Sequence, residues 1–297
     1  MTIRWGVSPI AWANDDMPEL GGDITLDALL TDVKEIGFEG VELGNKFPRD
    51  PESLKPIMAR YGLDIVGGWY SSNLLVQDAE AEIAAMESHM ALLQAMGSSV
   101  FILAETSNAV HGDREGGRLD SPPRLAPGDW AMFGQRLNRV AAHANDQGMR
   151  FAYHHHLGTV VETREDLNRF FGATGDHVGL VLDTGHAVYG GIDPIEVATT
   201  RPERISHVHC KDVRTERHAK FRAAGDSFLN GVVGGMFTTP GDGDYDYPAF
   251  MAALKAINYS GWIVIEAEQD PAVANPREYG QLGLDTLKRL AGDVGLV

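Results

Sequence analysis

The sequence predicts an α/β fold, a single (β/α)8 TIM barrel over residues 1–297, and three observations predict it. Short β-branched runs alternate with amphipathic stretches, a rhythm that argues for βα units around a parallel sheet. Eight such units fit into 297 residues, a length that one α/β barrel accommodates without a domain boundary. The last four predicted strands end in imidazoles and carboxylates, where a βα barrel builds its active-site face.

The strands are predicted at 3–7, 40–43, 64–69, 99–104, 150–154, 178–183, 205–209 and 262–266. A helix over 26–36 follows a cap at Thr25, and longer amphipathic helices cover 79–96 and 130–147. Residues 167–171 belong to a helix that begins Thr163-Arg164-Glu165-Asp166, which has capping-box spacing. Gly37, Gly62, Gly97 and Gly148 each close a helix shortly before the next strand, where a left-handed residue is wanted. Two connections are too long for turns: 105–129, rich in Gly, Pro and Arg, and 213–247, with Gly231, Gly234, Gly235 and Pro240-Gly241-Asp242-Gly243. Both follow strands, so both are predicted to be lids or substrate walls.

No apolar run reaches the roughly 20 residues that span a bilayer, so a soluble protein without a membrane partner is expected. The N-terminus enters a strand with no export-signal pattern, and the lone Cys210 cannot form an intramolecular disulfide. Together they predict a cytoplasmic location. The net charge of −17, without a basic cluster, repels a polyanion and excludes nucleic acid as the expected partner. No G-x-G-x-x-G or P-loop signals a nucleotide.

Strand five closes with His154-His155-His156, strand six with Asp183-Thr184-Gly185-His186, strand seven with His207-Val208-His209-Cys210-Lys211-Asp212 and strand eight with Glu266-Ala267-Glu268. Alternation puts His154 and His156 on one face, and His207, His209 and Lys211 on one face with Val208 and Cys210 on the other. A lone histidine at a strand end is ordinarily structural. Four neighbouring strands offering donors at one rim argue for a shared ligand set. Carboxylates ending the apolar runs 178–183 and 262–266 are costly to bury unless paired or coordinated.

His154, Asp183, His209 and Glu266 are therefore the candidate metal ligands. Their mixed chemistry suits Mn²⁺, Co²⁺, Zn²⁺ or Fe²⁺ better than Mg²⁺ or Ca²⁺. His156 and Glu162 are substitutes for His154, and Glu162 also reads as a solvated acid before the Thr163 cap. By parity His155 points away and Cys210 packs as a small hydrophobe. His186, Lys211 and Glu268 are candidates for proton transfer, with Lys211 alternatively neutralising a carboxylate. Asn14, Lys46, Trp69, Glu105 and His156 are candidates to hold substrate, against plainer readings of Trp69 as core and Lys46 as surface.

Leu182-Asp183-Thr184-Gly185-His186 and His207-Val208-His209 resemble the metal-binding strands of the xylose-isomerase-like TIM barrel superfamily, which includes sugar isomerases, epimerases, dehydratases and an apurinic endonuclease branch. The stretch from Ser8-Pro9-Ile10-Ala11-Trp12-Ala13-Asn14 to Leu20-Gly21, with Tyr153-His154-His155-His156-Leu157-Gly158-Thr159, Pro240-Gly241-Asp242-Gly243 and Glu266-Ala267-Glu268-Gln269-Asp270-Pro271, resembles the inosose dehydratases and related rhizopine-catabolism proteins. The likeness runs from the first strand to the last helix. It implies dehydration of a cyclic polyol ketone, 2-keto-myo-inositol (scyllo-inosose), in inositol catabolism, with Mn²⁺ or Co²⁺ and glutathione as an added requirement. His154 departs from the wider superfamily, most of whose members carry Glu there. The rival expectations are a metal-dependent sugar isomerase or epimerase, and a barrel that binds a polyol without turnover. Barrels often associate, so a homo-oligomer of unspecified size is also an expectation.

Overall fold

Eight parallel strands close on themselves in the computed structural model, which describes residues 2–297. In chain order the strands are β1 (Ile3–Val7), β2 (Gly40–Leu43), β3 (Asp64–Ser72), β4 (Val100–Glu105), β5 (Arg150–His154), β6 (Gly179–Asp183), β7 (Ile205–Cys210), β8 (Asp212–Val213), β9 (Phe237–Thr238) and β10 (Gly261–Ile265). The barrel order is β1-β10-β7-β6-β5-β4-β3-β2, and β8 pairs with β9 as a separate antiparallel ribbon.

The predicted strands at 3–7, 40–43 and 150–154 coincide with the observed ones. The third runs on to Ser72, because Tyr70, Ser71 and Ser72 pair with Leu103, Ala104 and Glu105 of β4. The other predicted strand ends move by one residue. Thr25 caps the helix Leu26–Ile36 by accepting from Ala28 N at 3.1 Å, and that helix buries Leu29, Leu30, Val33 and Ile36 on one face. Thr163 and Asp166 form the expected capping box. The four helix-ending glycines all adopt positive φ.

Strand alternation divides the barrel into an inside and an outside. Val100, Ile102, Ala152 and Val181 fill one side of the interior, and Val66, Trp262 and Val264 the other. Gly40 makes room for this layer: a Cβ there would stand 2.8 Å from both the Trp262 ring and Val66. Outward residues of the same strands, Leu180, Leu182, Val208 and Cys210, pack into the main core with helix residues such as Leu137, Val140 and Leu254. The apolar floor has a consequence for function. The next inward positions toward the strand ends, His154, Asp183, His209 and Glu266, are polar and have no route to bulk water except through the mouth.

The two long connections form a roof over that mouth. Beyond Glu105, the last residue of β4, the first connection has no helix or strand before Trp130, whereas 213–247 contains the helices Thr215–Ala223 and Phe228–Val233 together with β9. They are joined by Leu119 N donating to Asp226 O at 2.8 Å. Met17, Leu119, Leu157, Phe228, Val232 and Phe237 pack together in a second apolar cluster above the barrel. The Pro240-Gly241-Asp242-Gly243 motif wraps a carboxylate: Asp212 accepts from Gly241 N at 3.0 Å, Gly243 N at 3.1 Å and Tyr245 N at 3.0 Å. No helix among the described residues is long and apolar enough to cross a membrane.

Candidate metal centre and active site

Asp183, the last residue of β6, lies directly beside His209 of β7 in the strand register. Glu266 follows β10, held by its backbone N–H donating to Cys210 O at 3.1 Å, and His154 ends β5. One donor atom from each of these four buried side chains lies within 4.8 Å of the others. His209 Nδ1 is 3.3 Å from His154 Nε2, 3.2 Å from Glu266 Oε2 and 3.7 Å from Asp183 Oδ2, and His154 Nε2 is 3.8 Å from Asp183 Oδ2. Donors bound about 2.1 Å from one shared tetrahedral cation stand about 3.4 Å apart.

The tautomers agree with that geometry. His154 Nδ1 lies 2.7 Å from the His155 carbonyl, which can only accept, so Nδ1 carries the proton and Nε2 turns a lone pair inward. His209 Nε2 donates to Glu42 Oε1 at 3.0 Å, which leaves Nδ1 as the inward nitrogen. Asp183 Oδ1 accepts from His186 N at 2.8 Å, while its Oδ2 is buried without a hydrogen-bond partner. Lone pairs and an unpaired carboxylate oxygen thus converge on one point, an arrangement too costly to bury unless a cation completes it. The donor set fits a divalent metal.

Electrostatics say the same from the proton's side. Burial opposes charge on His209, yet Glu42 and Glu266 outweigh it and raise its pKa well above the ordinary value. Burial, reinforced by His209, pushes His154 well below it. A proton on His209 and a metal cation are competing ways to satisfy the same carboxylates. Burial would also raise Glu42, but His209 and His207 bring its carboxyl down to about 2. His207 Nε2 donates to the same Glu42 oxygen at 3.1 Å.

Beside the four donors sits a second buried group. Lys211 Nζ lies 2.9 Å from Glu268 Oε2, 3.0 Å from His186 Nε2 and 3.2 Å from Glu266 Oε2. Burial works against the ammonium, but Glu266 and Glu268 more than offset it and raise the Lys211 pKa. Burial, with the Glu266 charge added, carries the Glu268 carboxyl up to about 7. His186 rests on His156, ring centroids 3.7 Å apart, and burial pushes both imidazoles well below their ordinary pKa.

A cavity of about 290 Å³ opens above the donors, walled by Glu42, Trp69, His156 and Glu268 among others. Trp69 lies edge-on to His156 at 5.5 Å and tilted to His154 at 5.3 Å. Three of the sequence-predicted substrate residues stand outside this wall. Asn14 Oδ1 accepts from Asp16 N and Met17 N at 2.8 and 2.9 Å, and so shapes the loop after β1. Lys46 Nζ donates to Gly22 O at 3.1 Å on the exterior. Glu105 spends its carboxylate on Ser72 Oγ at 2.9 Å, Leu74 N at 2.6 Å and Ser107 N at 2.9 Å, tying the ends of β3 and β4 together.

Glu162 needs correcting on both of its readings. It is buried rather than solvated and lies outside the four-donor cluster, because its Oε2 accepts from Gly158 N at 2.6 Å within the loop after β5. Sequence reasoning missed Glu42, Asp16 and His111, all of which line the cavity. The signal for Glu42 was present, since a carboxylate inside the four-residue strand Gly40-Val41-Glu42-Leu43 is as costly as those at 183 and 266. His111 lies in an irregular connection with no periodicity to place it.

A profile described as "Xylose isomerase-like TIM barrel" matches residues 30–290. The rhizopine catabolism protein MocC of Rhizobium meliloti is 40% identical over 99% of this chain and 90% of its own length. An inosose dehydratase of Geobacillus thermodenitrificans is 40% identical over 98% of each chain, and one of Clostridium botulinum is 39% identical over 97% of each. Among solved structures, an IOLI protein with a bound zinc atom superposes with a TM-score of 0.64 at 17% identity, covering 98% of this chain and 97% of that one. A D-allulose 3-epimerase from Methylomonas sp. gives 0.65 at 17%, covering 97% of each, and both likenesses bear on the fold alone. The chain belongs to the xylose isomerase-like TIM barrel family, where its full-length relatives include inosose dehydratases, and it is an enzyme of the hydro-lyase class.

Proposed function

We propose that the protein is a metal-dependent dehydratase that removes water from 2-keto-myo-inositol, with His154, Asp183, His209 and Glu266 holding the cation. One observation carries this reading: one donor atom from each of the four side chains converges on a single point beneath a cavity whose wall includes Glu268, itself paired with the buried Lys211. The names of the full-length relatives supply the substrate. The zinc in the IOLI structure supports a divalent cation, the mixed imidazole and carboxylate set suits Mn²⁺, Co²⁺, Zn²⁺ or Fe²⁺, and the resemblance to the inosose dehydratases points to Mn²⁺ or Co²⁺ among them.

A cation bound there supplies Lewis acidity to the ketone, which acidifies the adjacent C–H bond. The remaining work falls to the protein. Glu268, balanced near neutrality, takes the proton from the carbon next to the ketone. The electrons of that C–H bond become the new C=C bond as the C–O bond to the β hydroxyl breaks. The departing oxygen takes the proton back from Glu268 and leaves as water. Lys211 stays an ammonium throughout, holding the Glu268 carboxylate in place, and His186 fixes Lys211 from the other side.

The test strips the protein with chelator and restores Mn²⁺, Co²⁺, Zn²⁺ or Mg²⁺ separately, with and without glutathione, while inosose is followed by mass. A product lighter by one water in the Mn²⁺ or Co²⁺ arms supports the reading. An isobaric product assigns an isomerase or epimerase instead, and binding without turnover assigns a polyol-binding barrel.

A further inference from the structure

Two cavity-wall residues have no part in this chemistry: Asp16, from the loop after β1, and His111, from the 105–129 connection. They meet across the mouth, with His111 Nε2 4.0 Å from Asp16 Oδ2. Asp16 marks the open end, since its side chain is 37% exposed whereas that of Asp183 below is fully buried.

Both residues are held in place. Asn14 Oδ1 accepts from Asp16 N and turns the loop so that residue 16 reaches the wall. Gly158, with φ +74°, lies against the backbone of His111: a Cβ there would stand 2.9 Å from His111 N and 3.1 Å from its Cα. Val110 N also donates to Gly158 O at 2.8 Å, which pins the segment. The His111 ring then sits 4.9 Å from His156, 6.1 Å from Trp69 and 6.4 Å from Phe228, centroid to centroid. An irregular connection has thus been clamped so that one imidazole faces the cavity.

The 4.0 Å separation is too long for a direct hydrogen bond. It is the span of two bonds of about 2.8 Å to one shared oxygen at about a right angle. That oxygen must accept from an imidazole N–H and donate to a carboxylate. A hydroxyl does both, whereas a ketone or ether oxygen only accepts.

We propose that Asp16 and His111 together bind one hydroxyl of the substrate, on the ring edge that faces the mouth, and so select among stereoisomers of the cyclic polyol ketone. The inference rests on the proposed substrate class. Trp69 and Phe228 shield the imidazole, so a ligand that lacks the hydroxyl and fills the cavity leaves the His111 N–H without its partner, and one carrying the hydroxyl on the other face does the same.

The test measures kcat/KM of the metal-loaded enzyme for inosose and a set of monodeoxy inososes, using wild type, His111→Phe and Asp16→Ala. Wild type should lose on the order of 10- to 100-fold at one deoxy position. Each variant should lose a comparable factor on inosose, mainly through KM, and become indifferent to that one position while still discriminating the others. The inference is overturned if the variants keep the wild-type selectivity at every position, or if kcat falls with KM unchanged. The substitutions lie on separate loops, so misfolding of one leaves the other to decide. If wild type leaves inosose untouched, the proposed function falls. Calorimetric binding of myo-inositol and its monodeoxy forms then decides the inference, which equal affinity for all of them would overturn.

Discussion

Glu42 Oε1 lies 3.0 Å from His209 Nε2 and 3.1 Å from His207 Nε2, so a single carboxylate oxygen on β2 takes the ring N–H of two histidines on β7. It reaches across the barrel to fix which nitrogen of His209 faces the other donors. Glu42→Gln removes the charge but keeps the shape, so metal affinity should fall by about 10- to 100-fold, and the metal-free protein should melt lower because the buried imidazoles of His207 and His209 lose their carboxylate partner. A competition titration against a chelating dye reads the affinity. An unchanged affinity would mean that the orientation of His209 does not depend on Glu42.

Asp183 Oδ2 is the unpaired atom of the centre. Asp183→Asn keeps the helix cap to His186 N but removes the buried charge. The metal-free variant should be as stable as metal-free wild type or more so, and it should lose the gain that Mn²⁺ or Co²⁺ gives the wild type. Thermal melts with and without metal show both effects.

Glu268 carries the proton in the proposed reaction. Glu268→Gln should lower kcat by about 10²–10⁴-fold and leave KM within a few-fold. Lys211→Met should cost stability as well as rate, because it leaves the buried Glu266 and Glu268 carboxylates without their ammonium. Steady-state kinetics and urea melts separate the two variants.

Glu162 gives a prediction about pH. Burial carries its carboxyl from an ordinary 4.5 up to about 7, against the Gly158 N–H that lowers it. Below pH 4.5 the group is protonated in both folded and unfolded chains and contributes no difference. As pH rises toward 7 the unfolded chain releases the proton first, so folding stability falls, by about 3 kcal/mol once the folded group has also ionised. Glu162→Gln should therefore stabilise the protein relative to wild type at pH 8 and not at pH 4.5. Urea melts at the two pH values check the sign.

Much of the barrel and of its polar rim is legible in the sequence. The βα rhythm placed β1, β2 and β5 to the residue, because strand ends there coincide with the end of the apolar run. Asp183, His209 and Glu266 stood out because a carboxylate or imidazole ending a buried strand needs a partner. Parity placed Cys210 in the core. What stayed hidden depends on tertiary contact. Glu105 looked like a strand-end site residue, but the backbone N–H of Leu74 and Ser107 consumes it. Asn14 lies one residue from the cavity wall, which Asp15 and Asp16 line, and acts by placing Asp16. His111 reaches the wall only because Gly158, in a different loop, leaves room for it, and no local pattern encodes that meeting.

The central claim is that four side chains at the ends of four strands hold one cation. Equilibrium dialysis against Co²⁺ followed by elemental analysis, on wild type and on the Asp183→Asn/Glu266→Gln double variant, tests it most directly. The account predicts one Co²⁺ per wild-type chain and none retained by the double variant, with both proteins folded. Equal occupancy in the two proteins would contradict it.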